Sequence, residues 1–314
     1  MSYRVLAIVG PTASGKSRLA LRLAEYLPLE ILSCDSQQVY AGMDIGTGKP
    51  TMAERRAVPH HLLDLVVPTE TFHAARWAAL ARVAIEHIVA RGRVPVVVGG
   101  TGLYFRALLS GLFEAPPSDP TIRARHKEEA RTMGVEVLHA RLVGVDPATA
   151  ARVQPRDLLR ISRALEVYEQ TGVPISALRT QQAPTTEISA RTLVLDPPLD
   201  MLRDRIARRF DAMIAAGLPE EVRGLRERFG SDARALQALG YRQLGEHLDG
   251  LLTLDEAVAV AKAATSAYAR RQRTWFRKEA DAWRVDTGPA PGDVVNWWKQ
   301  AWSGAAPASS SRPS

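Results

Sequence analysis

The chain has 314 residues and a net charge of +7, with 46% hydrophobic and 24% charged residues. This composition is ordinary for a globular protein of one core with an inserted or appended lobe. No apolar run approaches the roughly 18 residues of a membrane helix. The N-terminal residues enter a strand pattern directly and do not resemble a signal peptide, so we expect a cytoplasmic protein with no membrane partner. The positive charge favours a polyanionic partner without establishing one.

The first hundred residues alternate strand and helix. Short apolar runs predict buried strands at 5–9, 30–33 and 94–98, and helical spacing predicts helices at 17–26 and 71–90. The residues expected on one side of each helix are Leu19, Leu23 and Tyr26 in the first and Ala75, Ala79, Val83 and Ala84 in the second. Strands alternating with helices predict an α/β fold with a parallel sheet flanked by helices.

The pattern changes near residue 115, where a proline-rich segment predicts a hinge. The following residues are helical in pattern to 182, strand character returns at 192–195, and helices follow at 199–216 and 255–278. We therefore predict a core interrupted by one helical insertion. The segments are the first part of the core at 1–118, the insertion domain at 119–190, the second part of the core at 191–302 and a disordered tail at 303–314.

A complete phosphate-loop motif follows the first predicted strand and opens the first predicted helix. Its residues are Gly10, Pro11, Thr12, Ala13, Ser14, Gly15, Lys16 and Ser17. The glycines let successive backbone N–H groups turn toward phosphate oxygens, and the helix N-terminus adds partial positive charge. Lys16 supplies a full positive charge, and Ser17 supplies a hydroxyl that can hold Mg²⁺. The motif predicts a di- or triphosphate ligand, but it does not name a reaction.

Two features of common nucleotide hydrolases are missing. The sequence has no Asn-Lys-x-Asp motif, by which GTPases read the base. The strand at 94–98, where an ATPase carries a metal-binding acid, ends instead in Gly99-Gly100-Thr101-Gly102. A hydroxyl and backbone N–H groups suit contact with an anion rather than activation of a hydrolytic water.

An acid does follow the second predicted strand, at Asp35. In doubly wound folds ligands bind outside the carboxyl ends of the strands, so the phosphate loop, Asp35 and Thr101 are expected to meet in one crevice. We predict a catalytic or substrate-contacting role for Asp35, with helix capping as the alternative. Cys34, the only cysteine, excludes an internal disulfide and is predicted to be a small buried residue. His60 and His61 are predicted to make capping or core hydrogen bonds rather than a metal site.

Eight segments in one order and spacing carry a resemblance to a known family. They are residues 10–17, Asp35–Tyr40, Gly42–Pro50, Pro59–Asp64, Gly99–Tyr104, Arg163–Val167, Gly240–Gln243 and Arg271–Trp275. Over residues 4–285 the sequence resembles the tRNA dimethylallyltransferases. It departs from them at Cys34, where Val is expected, and at Gly48, where Ala is expected; both are small and are expected to change no chemistry. Ser266 stands where a basic residue is common, and segment 159–163 lacks the Gln often found at its start.

The resemblance implies a P-loop NTPase-like core and a Mg²⁺-dependent transfer. A dimethylallyl group would pass from its diphosphate to the N6 amine of the adenosine 3′ of the anticodon in tRNA, releasing diphosphate. The loop with Mg²⁺, and Arg209 by its position in the family, would neutralise the leaving group. The Thr101 hydroxyl would donate to the oxygen bridging carbon and phosphorus. Asp35 would orient the amine and take its proton late.

Transfer to a base inside a folded RNA loop requires the base to be flipped out. Polar groups beside Asp35, arginines of the insertion and two residues of the Gly240–Gln243 segment are expected to contact the RNA. The predicted tRNA contacts are Asp35, Ser36, Gln37, Gln38, Thr101, Arg123, Leu159, Arg160, Ile161, Ser162, Arg163, Tyr241 and Arg242. A further candidate phosphate track is a basic stripe on the last long helix, defined by Lys262, Ser266, Arg270, Arg273 and Arg277.

Two other functions stay open at this point. A small-molecule kinase would share the phosphate loop and an acid after the second strand, but the Gly-Gly-Thr-Gly segment and the basic helix argue against it. A non-catalytic RNA-binding or nucleotide-sensing module would not need Lys16, Ser17, Asp35 and Thr101 together. Whether ATP also binds the loop is open, and the lack of a coiled-coil pattern leads us to expect a monomer.

Overall fold

The computed structural model describes residues 3–112, 116–181 and 188–302, with no side-chain description at 179–181. The described chain contains a six-stranded, wholly parallel sheet in the order β3-β2-β4-β1-β5-β6. The strands are β1 (Tyr3–Val9), β2 (Leu29–Cys34), β3 (His60–His61), β4 (Val94–Gly99), β5 (Ile188–Leu195) and β6 (Trp283–Val285). The predicted α/β fold with a parallel sheet flanked by helices is confirmed.

Fourteen α-helices and one 3₁₀ turn lie in the described part of the chain. They are α1 (Lys16–Leu23), α2 (Met52–Ala57), α3 (Ala74–Ala90), α4 (Gly102–Ser110), α5 (Pro120–Met133), α6 (Val135–Val145), α7 (Pro147–Ala150), α8 (Leu158–Thr171), α9 (Ile175–Gln181), α10 (Leu199–Ala215), α11 (Leu218–Phe229), the 3₁₀ turn (Arg234–Gln237), α12 (Tyr241–Leu248), α13 (Leu254–Phe276) and α14 (Pro291–Gln300). None of the helices in these ranges is long and apolar enough to cross a membrane.

The chain divides into two compact units, Met1–Leu109 with Thr186–Ser314, and Ser110–Thr185. The first contains the sheet and the second contains helices α5 to α9. Strand β5 begins at Ile188, four residues before the strand predicted at 192–195, and it pairs with β1 along its length. The predicted disordered tail at 303–314 lies outside the described residues.

The sheet core is built from alternating strand residues. Leu6 and Ile8 of β1 are fully buried on the face that packs against α1 and α14. Helix α3 packs against β1, β2 and β4. Because a strand side chain points to alternate faces, a short apolar run can supply the cores on both sides of a parallel sheet.

The faces predicted for two helices are partly wrong. Leu19 and Leu23 are buried, but α1 ends at Leu23 and leaves Tyr26 54% exposed beyond it. Helix α3 begins at Ala74 rather than Thr71 because the His73 side chain accepts a hydrogen bond from the Arg76 N–H, which caps the helix. The helix buries Ala74, Trp77, Ala78, Ala81, Ile85 and Ile88, so the face predicted from Ala75, Ala79 and Val83 is the one exposed to solvent.

The helical unit has its own apolar core and a buried carboxylate. Leu138, Leu142 and Ile161 belong to that core. Glu166, which has no exposed surface, accepts hydrogen bonds from the Asp119 N–H, Arg123 and Arg163. Burial favours the neutral carboxyl, but hydrogen bonds from Arg163, the Asp119 N–H and Arg123 outweigh it and lower the pKa of Glu166. The two arginines therefore complete a buried ion cluster in this unit.

Candidate active site

A cavity of about 940 Å³ lies at the carboxyl ends of β1, β2 and β4. Its charged wall residues are Lys16, Arg18, Arg22, Arg205, Arg209, Arg271 and Asp35. Among the described residues, Asp35 is the only acid on the wall, against six cations. Such an imbalance in a recessed site creates a field that attracts and holds an anionic ligand.

The phosphate loop forms one wall of this cavity. Gly10, with φ +145°, has no room for a side chain because a Cβ would lie 2.2 Å from the Leu195 carbonyl oxygen of β5. Burial, and then repulsion from Arg209, lowers the pKa of Lys16 to about 7. The Lys16 Nζ donates to the Pro11 carbonyl and, at 3.3 Å, to the Ser14 hydroxyl. The cation is thus held by the loop at the position where a phosphate would bind.

Arg209, predicted only from the family pattern, enters the same cavity from α10. Its guanidinium donates to the Thr47 carbonyl at 3.3 Å, and burial lowers its pKa while the Asp35 carboxylate opposes that shift. Arg205, one turn earlier, lies 3.5 Å from the Ser14 carbonyl. The sequence prediction did not assign Arg205 to the site, although its i, i+4 spacing from Arg209 was the available signal.

Gly48 lies against Arg209, a contact that the prediction did not include. A Cβ built at Gly48 would lie 2.0 Å from the Arg209 Nη2, and its φ of +58° is one that side chains rarely adopt. The glycine therefore leaves the space that the guanidinium occupies. An alanine here would have to displace Arg209, the loop or both.

Asp35 and Thr101 lie side by side through a short hydrogen-bonded turn. Asp35 Oδ1 accepts from the Gln37 N–H at 2.8 Å, so it caps the turn as well as facing Lys16 and Arg209. Thr101 Oγ1 accepts from the Ser36 N–H at 3.0 Å. Gly99 and Gly100 line the cavity, and Thr101 follows directly behind them. Since Thr101 Oγ1 accepts from the Ser36 N–H, its hydroxyl proton can be donated either to the neighbouring Tyr268 or to a bound ligand.

Tyr268 is a site residue that the sequence prediction missed. Burial and the Asp35 carboxylate raise the pKa of Tyr268 to about 12, although a hydrogen bond with Thr101 opposes this. The phenol therefore stays protonated at neutral pH beside both predicted catalytic groups. Spacing along α13 had drawn attention only to its basic residues, and Tyr268 is not in register with them.

The three polar residues after Asp35 differ in what their side chains can still bind. Both polar atoms of the Gln38 side chain already have hydrogen-bond partners. Its Oε1 accepts from the Ser33 hydroxyl, and its Nε2 donates to the Thr47 and Gly48 carbonyls. Gln37 carries a buried Oε1 that has no hydrogen-bond partner within the described chain. Ser36 lines the cavity. Gln38 thus holds the 47–48 loop, and Ser36 and Gln37 keep their predicted role.

Tyr241 also has a structural task. It is 1% exposed, and its hydroxyl donates to Glu221 Oε1 at 2.6 Å. Glu221 in turn accepts from the backbone N–H groups of Asp44, Ile45 and Gly46. This arrangement fixes the loop that leads to Gly48. Tyr241 also lines the cavity and Arg242 is exposed, and their contacts with tRNA stay predictions.

The sequence is similar to known proteins of one family over most of its length. The sequence profile of the IPP transferase family matches residues 38–279. The tRNA dimethylallyltransferase of Anaeromyxobacter sp. (strain K) is 51% identical over 276 residues, which are 88% of this chain and 90% of that protein. The chain belongs to the IPP transferase family.

Solved structures of family members share the fold. The full-length tRNA isopentenylpyrophosphate transferase of Bacillus halodurans is 37% identical, with a TM-score of 0.67 and coverage of 95% of both chains. A eukaryotic dimethylallyltransferase acting on tRNA, captured in crystallographic snapshots, is 28% identical with a TM-score of 0.72. That match covers 94% of this chain and 76% of the eukaryotic one.

The tRNA contacts that the IPP transferase pattern predicted in the helical unit divide into two groups. Leu159 is 75% exposed and the Arg160 side chain 64% exposed, as an RNA contact requires. Ile161 is fully buried and Ser162 hydrogen-bonds to buried His126, so in the described unit these two side chains serve the core, and their contacts with RNA stay predictions. They face the core because four successive helical residues cannot share one surface.

Arg123 and Arg163 were predicted to hold RNA phosphates, but both already form ion pairs within the helical unit. Both bind the carboxylate of buried Glu166, and Arg163 also donates to the Pro116 carbonyl at 2.7 Å. Releasing either arginine would leave Glu166 without part of its compensation. Both arginines therefore have a structural task in the described unit, and because their side chains are 38% and 27% exposed, their contact with RNA stays a prediction.

The basic stripe on α13 is not a continuous track. Lys262 pairs with Asp211, and Arg273 pairs with Asp196, which directly follows β5. Arg270 and Arg277 are exposed. The spacing of the stripe along the helix was predicted correctly, but acidic residues on other elements neutralise two of its four cations. The pattern along one helix could not reveal these acidic partners.

Cys34 and the histidines have the structural roles predicted for them. Cys34 is buried, its Sγ lies 3.6 Å from the Thr101 carbonyl, and burial raises the pKa of its thiol well above the usual value. His60 contacts the Val58 carbonyl at 2.7 Å and His61 contacts Glu30 at 2.6 Å. Across residues 3–112, 116–181 and 188–302, no three His, Cys, Asp or Glu side chains cluster closely enough to hold a metal ion.

The lowered pKa of Lys16 predicts a pH-dependent anion site. Below about pH 7 the free amine is charged, and above it the amine must take up a proton to bind an anion. Affinity for inorganic sulfate, whose own charge is constant, should fall by up to about tenfold per pH unit above 7, since each pKa unit is about 1.4 kcal/mol. Isothermal titration calorimetry from pH 6 to 9 measures this. Lys16→Met should bind weakly with no such slope; a parallel slope in the variant would contradict the assignment.

The close packing of Gly48 predicts a second effect on anion binding. Gly48→Ala should displace Arg209 and weaken sulfate binding at pH 6 severalfold. Gly92→Ala is the matched control, because Gly92 has φ +71° but nothing within 4 Å of a built Cβ. Both variants should lose about 1–2 kcal/mol of folding stability from backbone strain. Equal sulfate affinity in the two variants would show that Gly48 does not set the position of Arg209.

Proposed function

We propose that this protein transfers a dimethylallyl group from dimethylallyl diphosphate to the N6 amine of the adenosine 3′ of the anticodon in tRNA, releasing diphosphate. The observation that carries the proposal is a single carboxylate, Asp35, facing Lys16 of the phosphate loop and Arg209 in one cavity. One end of that arrangement suits an anionic leaving group and the other suits an amine that must lose a proton. The name of the 51% identical relative is that of an enzyme with this activity.

The leaving group is stabilised by groups that are already in place. As the carbon–oxygen bond breaks, charge grows on the diphosphate, and Lys16, Arg209 and the N–H groups of the phosphate loop neutralise it. The Thr101 hydroxyl donates to the oxygen that bridged carbon and phosphorus. Its oxygen is held by the Ser36 N–H, which leaves the proton to be donated.

Asp35 acts on the nucleophile. The adenine amine is barely basic, so the carboxylate first accepts a hydrogen bond from it and so aligns the nitrogen with the allylic carbon. The carbon–nitrogen bond then forms, and the amine proton passes to Asp35. Oδ1 is held by the Gln37 N–H, so the carboxylate has a fixed orientation. The base reaches this cavity only if it is flipped out of the RNA loop.

Mg²⁺ fits this site as a partner of the diphosphate. Ser17 lies exposed on the cavity wall at the start of α1, and Asp35 is the one wall carboxylate in the described chain. With so few protein oxygens, the ion would be held by the Ser17 hydroxyl, diphosphate oxygens and water, which is the ligand set that Mg²⁺ favours. When bound, it would add positive charge to the leaving group.

The remaining parts of the proposal concern partners and setting. We propose that the protein acts as a monomer, since its sequence has no coiled-coil pattern. Its proposed substrate, tRNA, is available in the cytoplasm. Leu159, Arg160 and Arg242 are the exposed residues best placed by the sequence pattern to contact the RNA.

The decisive experiment is incubation of the purified protein with labelled dimethylallyl diphosphate, Mg²⁺ and bulk tRNA. We expect label in tRNA at one adenosine, and almost none with Lys16→Ala. Labelled ATP with small-molecule acceptors tests the kinase alternative, which the family comparison does not favour. Transfer of phosphate without transfer of the prenyl group would overturn the proposal.

Asp35 and Thr101 should be separable by kinetics. Thr101→Ala removes a donor used mainly in the transition state, so kcat should fall by about 10²–10³ with little change in KM for the diphosphate. Thr101→Ser, which keeps the hydroxyl, is the control. Asp35→Asn keeps the acceptor for the Gln37 N–H but not the base, so kcat should fall while diphosphate binding without RNA is retained. Loss of Mg²⁺-dependent diphosphate binding would instead make Asp35 a metal ligand.

The corrected basic stripe makes a specific prediction for RNA binding. If Arg270 and Arg277 contact phosphates, the double variant Arg270→Ala/Arg277→Ala should weaken tRNA binding. It should also reduce the slope of log affinity against log salt by about 0.7–0.9 per contact. Lys262→Ala should leave the slope unchanged because Asp211 already pairs with that lysine. Unchanged affinity in the double variant would mean that these arginines only face solvent.

A further inference from the structure

One side chain, Gln272 of α13, joins the two loops that the reaction uses. Its Oε1 accepts from the Thr12 N–H of the phosphate loop at 2.8 Å. Its Nε2 donates to the Gly100 carbonyl, one residue before Thr101, at 2.9 Å. Gln272 is 6% exposed, so both hydrogen bonds are shielded from water and costly to lose.

The fit around this amide leaves little freedom. A Cβ on Gly100 would lie 2.2 Å from the Gln272 Nε2, so the glycine is needed for the close approach. The two loops follow neighbouring strands, β1 and β4, but beyond Val9 and Gly99 no strand pairing holds them together. A primary amide is suited to this position because it offers an acceptor to one loop and a donor to the other at a fixed separation.

Two neighbours on α13 act on the same segment. Tyr268, one turn earlier, lines the cavity close enough to Thr101 for that hydroxyl to affect the pKa of its phenol. Trp275 packs against the next residue, since a Cβ on Gly102 would lie 2.1 Å from its indole nitrogen. One face of a single helix therefore holds Gly100, Thr101 and Gly102 in succession, and only Gln272 of the three also reaches the phosphate loop.

We propose that Gln272 is a positioning residue that sets the separation between the phosphate loop and Thr101. This inference rests on the proposed function, in which the loop holds the diphosphate while Thr101 donates to its departing bridging oxygen. The diphosphate spans the two loops, so a change in their separation moves the Thr101 donor relative to that oxygen. A misplacement of about 1 Å in such a site can cost up to about 10²-fold in rate.

The test is the variant Gln272→Met, which keeps the length and volume of the side chain but makes neither hydrogen bond. We expect kcat to fall about 10- to 100-fold, with the dissociation constant of inorganic diphosphate changed by less than about threefold. In a Thr101→Ala background the same substitution should lower kcat less than about threefold, because the group that it positions is gone. Equal effects in the two backgrounds would overturn the inference.

Two controls separate positioning from loss of stability. Gln243 is fully buried and accepts from the Gly240 N–H, but it does not line the cavity, so Gln243→Met removes a comparable amide elsewhere. It should lower the melting temperature similarly without the change in kcat. Gly100→Ala, which pushes the amide away sterically, should reproduce the kinetics of Gln272→Met. If Gln243→Met lost as much melting temperature and as much kcat as Gln272→Met, the loss of kcat would follow from instability alone. That result would overturn the inference.

Hydrogen exchange gives a readout that does not need activity. In Gln272→Met the peptide containing Thr12 should exchange faster, whereas peptides of β1 and α1 should not change. Unchanged exchange at the loop would overturn the inference even if the parent enzyme transfers the prenyl group. The parent enzyme could instead fail to transfer the prenyl group while the variant still shows faster exchange at the loop. That result would overturn the proposed function, but it would leave the bridge between the two loops established.

Discussion

Parallel pairing of β2, β4 and β1 is the constraint on which the site depends. Val9 is in register with Gly99, and Gly99 with Cys34, so the three strands end at one level. The segments that follow them must then start side by side. This is why the phosphate loop, Asp35 and Thr101 are neighbours although they are separated by many residues in the chain. A one-residue slip would exchange the faces of a strand and destroy the cavity wall and the core together.

The same arrangement concentrates positive charge at one edge of the sheet. Within the described chain six cations and one carboxylate line the cavity, and burial, followed by repulsion from Arg209, lowers the pKa of Lys16. Lys16 hydrogen-bonds to the loop and Arg209 to Thr47, contacts that a bound anion can replace with stronger, charge-assisted ones. The positive charge of the cavity is therefore balanced only when an anion is bound. The free energy of anion binding should then add to the stability of the folded protein.

Local pattern predicted the parts of the site that depend on local geometry. The phosphate loop and Asp35 could be placed because a strand end, a glycine turn and a helix start are written in a few consecutive residues. The ion pairs of Arg123 and Arg163 could not be predicted because their partner, Glu166, is identified only by the packing of α5 on α8. Helical spacing gives the direction of a side chain, but it does not give the charge that it meets.

The residues that prediction missed share one property. Tyr268 acts on Thr101, more than 160 residues earlier in the chain, and Gln272 acts on Thr12 and Gly100 at separations of 260 and 172 residues. Tyr268 belongs to none of the quoted segments, and the Arg271–Trp275 segment that contains Gln272 indicates a family without indicating what the amide contacts. The effect of Gly48 was missed for the same reason, because the space that it leaves belongs to a guanidinium on α10. Long-range contacts made by single side chains are the hardest features to predict from one sequence.

The connectivity also explains how the chain accommodates its helical unit. Residues 110–185 leave the core after α4 and return before β5, and β5 pairs with β1 over its whole length, from Tyr3 opposite Ile188 to Val9 opposite Val194. The pairing that closes the sheet is thus made by the residues that follow the insertion. Gly10 reinforces it, because only a glycine allows the close approach of the phosphate loop to Leu195. The groups proposed for the chemistry all lie in the sheet unit, and the exposed RNA-contact candidates Leu159 and Arg160 lie in the other. If Leu159 and Arg160 contact the RNA, sequence changes in the helical unit should alter RNA recognition while the proposed diphosphate site in the sheet unit keeps its geometry.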